Sequence, residues 1–126
     1  MNKGINNLKI SGIVVSGKSR GRLLGFPTAN ILPCAEQILP EKNGVYHTKV
    51  TLDGETFDAI TNIGTNPTFG ANQRTVENHI FDFDADITGK KIEVEIIKFI
   101  RDEKKFKSAE ELVKQIESDV KRIRGD

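Results

Sequence analysis

Apolar and polar positions alternate with a period of two along most of the chain, and a helical period appears only near its end. A period of two marks a strand whose side chains point to opposite faces. Residues 8–16, "LKISGIVVS", are apolar and β-branched, with Gly12 a candidate bulge or point of close approach. Residues 44–52 set Val45, His47 and Lys49 against Tyr46, Thr48, Val50 and Leu52, then run into Asp53-Gly54 and a second β-rich stretch at 55–64. Asp-Gly between two such runs predicts a tight hairpin, because both central turn residues take positive φ. Residues 75–83 place Thr75, Glu77, His79 and Phe81 on one face and Val76, Asn78 and Ile80 on the other. Residues 89–100 set Ile92, Val94, Ile96 and Ile100 against Lys91, Glu93 and Glu95. Turn-rich stretches at 17–27, 33–43, 64–74 and 84–90 separate these runs.

The helix is predicted from Ser108 onward, with Ser108 as N-cap and Glu111 completing a capping box. Leu112, Val113, Ile116, Val120 and Ile123 form its apolar stripe, and Lys121, Arg122 and Arg124 suit the negative end of its dipole. Five or six antiparallel strands with one C-terminal helix predict a small closed or nearly closed β-barrel. No repeat, low-complexity tract or linker divides the chain, so residues 1–126 are read as a single domain.

Composition narrows the partners. With 37% hydrophobic and 29% charged residues the chain is that of a globular protein, and its net charge of +1 offers no broad field for nucleic acid or membrane. An anion must therefore be held by local geometry. Cys34 is the sole cysteine, which rules out an internal disulfide, and it lacks the surroundings of an activated thiol. The N-terminal residues have no signal-peptide pattern, and no segment reaches the 18 or so apolar residues of a span, so the expected location is the cytoplasm, away from membranes.

Residues 12–19, "GIVVSGKS", match the phosphate-loop string G-x-x-x-x-G-K-[ST]. That loop works only when its Lys-Ser opens a helix aimed at the anion. Here "RGRLLGFP" follows, whose Gly21, Gly25 and Pro27 disfavour a helix, and Ile13 to Ser16 read as strand. The match is a coincidence of letters.

The next segment has better chemistry. Gly17, Lys18, Arg20, Gly21, Arg22 and Gly25 combine close approach with forked cationic donors, as a flap over a polyphosphate would, although a solvated turn has the same composition. Pro27 biases Phe26 toward extended backbone, and an extended "FPTAN" projects Thr28 and Asn30 to one side. Two neutral oxygen donors suit a Mg²⁺ that keeps water and phosphate as its other ligands.

These stretches, with "GVY" (44–46), "NIGTNPTFG" (62–70) and "RTVENHIFDFDADITGKKIEVEIIKFIRDEKKF" (74–106), resemble the riboflavin kinase (flavokinase) family from about residue 9 to the C-terminus. The resemblance implies a six-stranded antiparallel barrel that moves the γ-phosphate of ATP to the 5′-hydroxyl of riboflavin, giving FMN and ADP. It implies Thr28 and Asn30 as ligands of Mg²⁺, with Mn²⁺ or Zn²⁺ as substitutes, and Glu77 as catalytic carboxylate. ATP would meet Gly17, Lys18, Arg20, Gly21, Arg22, Gly25, Pro27, Thr28, Asn30 and Asn66. Arg101 and Phe106 are the candidates for the flavin, or else anchors of the strand–helix corner. A monomer is expected. One departure is Ile87-Thr88-Gly89, where the family commonly has Leu-Tyr-Gly.

Glu77 alone also reads as a solvent-facing strand carboxylate, and His79 as a packing or surface residue rather than a base. His47 and His79 are isolated, so no nucleotidyltransferase motif is present and FAD synthesis is not expected. The alternative function is a flavin- or nucleotide-binding module with lost or secondary kinase activity, such as the kinase part of a regulatory RNA-binding protein.

Overall fold

The computed structural model describes residues 8–16, 28–33, 39–65, 74–81, 83, 85–104 and 107–124. It is mainly β: strands β1 (Lys9–Ser16), β2 (Thr28–Pro33), β3 (Gly44–Leu52), β4 (Glu55–Thr65), β5 (Arg74–Ile80) and β6 (Lys91–Arg101), then helix α1 (Ala109–Arg124). The strands close an antiparallel barrel in the order β1-β2-β5-β4-β3-β6. The predicted hairpin joins β3 to β4, with φ of 50° at Asp53 and 85° at Gly54.

Inward positions of all six strands form one apolar core, with Ile10, Ile31, Ile63, Ile92, Val50 and Val76 almost wholly excluded from solvent. Fully burying each such side chain contributes about 1.5–3 kcal/mol. Three polar residues share this interior, namely Thr48, Thr61 and Asn78. They are linked hydroxyl to hydroxyl (2.7 Å), Thr61 hydroxyl to Asn78 Oδ1 (2.7 Å), and Asn78 Nδ2 to the Ala29 carbonyl (3.0 Å). Pairing cancels the cost that burial would otherwise impose on each group.

A second apolar cluster lies outside the barrel wall, where Val45, Ile60, Phe81 and Ile100 meet Val120 and Ile123 of α1. Ile100 was expected on the face of Ile92, Val94 and Ile96. The β3–β6 register slips twice, so that Thr48 pairs with Ile96, His47 with Lys98, Tyr46 with Phe99 and Val45 with Arg101. Each slip inserts one residue and reverses the parity of those beyond it. Gly12 lies in regular register with Pro33 and Ile92, and the β1 irregularity falls between Val14 and Ser16 instead. The helix start follows the capping box closely: Ser108 Oγ accepts from the Glu111 amide at 3.2 Å, while Glu111 reaches the amide of Lys107 at 3.1 Å, one residue before the cap.

Candidate active site

Parity on β5 sends Val76 and Asn78 into the barrel, and so places Glu77 and His79 on the outer face. The register then draws a row around the barrel: Ser16 pairs with Asn30, Asn30 with Glu77, Glu77 with Asn62, Asn62 with Val45, and Val45 with Arg101. Paired strands lie about 4.8 Å apart, so each residue in the row neighbours the next. The adjacent row runs from Thr28 to His79, Ile60, His47 and Lys98. The extended backbone expected around Thr28 and Asn30 is therefore strand β2, and it brings both residues against the strand that carries Glu77.

Helix α1 roofs one end of these rows and leaves a cavity of about 60 Å³, lined by Asn62, Glu77, His79, Arg101, Ile116 and Asp119 among others. Burial raises the Glu77 carboxyl above its ordinary value. A carboxylate held so is a better proton acceptor than one in water. Burial dominates at His79 as well and lowers it to about 4 despite the nearby Asp119, so its ring is neutral at pH 7. Asn62 Oδ1, among the described residues, is the one buried side-chain polar atom without a hydrogen-bond partner.

Arg101 and Asp119 form the polar seam between barrel and helix. The guanidinium donates to both carboxylate oxygens at 2.9–3.2 Å, and Gln115 Nε2 adds a bond to Asp119 Oδ1 at 3.0 Å. Asp119 is 3% exposed. Arg101 also donates through NH1 to the carbonyl of Asp102 at 3.0 Å, so at least three of its donors serve the strand–helix corner. Asp119 was not singled out from sequence. Its place three residues after Ile116 and four before Ile123, inside the apolar stripe, was the available sign.

The flap residues Gly17, Lys18, Arg20, Gly21, Arg22 and Gly25, with Pro27, Asn66 and Phe106, lie outside the described residues. Of the phosphate-loop string, Gly12 to Ser16 belong to β1, as read from the sequence. In the 84–90 turn, Ile87 enters the core and Thr88 bonds Asp86 Oδ1 through both its amide and hydroxyl, at 3.0 and 2.7 Å. The departure from Leu-Tyr-Gly is thus absorbed by a side-chain turn. No group of three His, Cys, Asp or Glu side chains capable of holding a metal occurs among the described residues. A hard cation that arrives with phosphate oxygens requires little more than a neutral oxygen such as that of Asn30, and the donor set fits it.

The family described as Flavokinase: Riboflavin kinase matches residues 5–125. The chain belongs to the riboflavin kinase family. Its relatives include the RNA-binding riboflavin kinase RibR of Bacillus subtilis, 46% identical over 112 residues, which cover 88% of this chain and 47% of that protein. The bifunctional riboflavin kinase/FMN adenylyltransferase of the same organism is 42% identical over 113 residues, covering 87% and 35%. The crystal structure of riboflavin kinase from Trypanosoma brucei superposes with a TM-score of 0.68 at 28% identity, over 98% of this chain and 81% of that one. The chain spans less than half the length of the curated relatives it matches first. No helix of the described residues is long and apolar enough to cross a membrane.

Proposed function

We propose that this chain transfers the γ-phosphate of ATP to the 5′-hydroxyl of riboflavin, with release of FMN and ADP. The observation that carries the reading is the direct pairing of Asn30 with Glu77, which lines a cavity and whose burial makes it a stronger base. Family membership and the resemblance of the Thr28–Asn30 segment support it.

In this mechanism Glu77 holds the 5′-hydroxyl and takes its proton as the oxygen forms a bond to the γ-phosphorus. The bond from that phosphorus to the β,γ-bridging oxygen breaks, and the electron pair leaves on ADP. Asn30 and Thr28 would hold a divalent cation, which would supply neutralisation of the phosphate charge. Gly17, Lys18, Arg20, Gly21, Arg22, Gly25, Pro27 and Asn66 are the further residues we propose for binding ATP. Positioning accounts for most of the rate, and the general base adds a factor of about 10² to 10⁴.

The test is FMN formation from riboflavin and ATP with Mg²⁺, repeated with EDTA. Product that appears with the metal and disappears with the chelator supports the reading. Flavin binding without metal-dependent product refutes it.

A further inference from the structure

We infer that Asn62 is a specificity-determining residue, whose side-chain carbonyl accepts a hydrogen bond from a secondary hydroxyl of the acceptor's polyol chain. The inference rests on the kinase reading above and adds to it which feature of the alcohol the site selects.

Asn62 Oδ1 is buried and lacks a partner, whereas buried polar atoms are as a rule satisfied. Its neighbours in the cavity are otherwise committed. Arg101 and Asp119 are bound to each other, Lys104 donates to Gln115 Oε1 at 3.1 Å, His79 is buried beside them, and Ile60 and Ile116 supply apolar wall. What Oδ1 lacks is therefore a donor, and the cavity of about 60 Å³ admits a short polar chain but not an aromatic ring system. Register assigns the order. Asn62 follows Glu77 in the row, on the side away from Asn30 and toward Val45 and the helix. With the reacting hydroxyl at Glu77, the next strand faces the carbons that follow it. A hydroxyl there supplies the missing donor. A plain methylene leaves the oxygen buried and unsatisfied, which is how a polar site rejects an analogue lacking the hydroxyl.

The experiment compares riboflavin with a flavin of the same ring system whose side chain is an unbranched 5-hydroxypentyl group. kcat/KM is measured for both with the wild-type chain, Asn62→Leu and Asn62→Ser, and unfolding curves establish that each variant folds. The expected result is a wild-type preference for riboflavin of tenfold or more. Asn62→Leu should narrow it at least about tenfold, chiefly by losing riboflavin, and Asn62→Ser, which keeps a small acceptor, should fall between. If Asn62→Leu does not fold, the Asn62→Ser ratio decides alone: narrowed supports the inference, unchanged overturns it. A wild-type chain that phosphorylates both flavins equally, or an unchanged ratio in the folded variants, overturns the inference and leaves the kinase reading standing. A wild-type chain that phosphorylates neither overturns the kinase reading and this inference with it.

Discussion

The side-chain amide of Asn78 donates to the backbone carbonyl of Ala29 at 3.0 Å inside the barrel. Ala29 lies between Thr28 and Asn30, and Asn78 lies between Glu77 and His79. One interior hydrogen bond thus ties together the two strands whose outer faces carry the proposed site. The Thr48–Thr61 pair extends the tie across the barrel.

Replacing Asn78 with Leu leaves the Thr61 hydroxyl with one partner fewer and the Ala29 carbonyl without the side-chain amide. Leaving such groups unsatisfied costs about 1–3 kcal/mol. Urea unfolding should show that loss, and Thr48→Val, at the end of the chain of bonds, should cost less.

Glu77→Gln should lower turnover by about a hundredfold or more while flavin binding, followed by fluorescence quenching, persists. Near-normal turnover would remove Glu77 from the mechanism. In the wild type, activity needs the ionised carboxyl, so its acid limb should lie above the ordinary carboxylate value of 4.5. The stability effect has the opposite sense. A carboxyl whose folded value is raised favours the fold at low pH and loses that contribution as pH rises through the folded value. The neutral Gln variant should accordingly be at least as stable as the wild type at pH 7.

Asp119→Ala strands the guanidinium of Arg101, whose side chain is 15% exposed, against the barrel wall. Removing one partner of a buried pair typically costs about 3–5 kcal/mol. Thermal or urea unfolding should register a loss of that order, and the double variant Arg101→Leu/Asp119→Leu should recover part of it. If the single change costs under about 1 kcal/mol, the pair behaves as a surface bridge and does not hold the helix.

His79 has a folded value of about 4 against 6.5 in an unfolded chain. A lowered value means that its contribution is complete above pH 6.5 and lost as pH falls toward 4. Stability measured between pH 7 and 4 should decline, and His79→Gln should flatten that decline. An unchanged slope would place the acid sensitivity elsewhere.

The sequence alone carried five or six antiparallel strands in a closed or nearly closed barrel, the Asp-Gly hairpin, the capped helix and the parity of Glu77, while the count of six came with the family resemblance. All of these depend on neighbours in the chain, through side-chain alternation, turn conformation and helical spacing. The specific motifs also carried family membership. Only the tertiary structure decided what stands beside Glu77. Asn30 and Asn62 flank it through pairings 47 and 15 positions apart in the chain, which no local pattern encodes. It also decided the fate of Ile100, since a register slip is set by the partner strand, and the role of Asp119, since an acid in an apolar stripe is explained only by the Arg101 it meets. Local periodicity determines which way a side chain faces, whereas its partner, its burial and hence its proton affinity depend on how distant strands and the helix close around it.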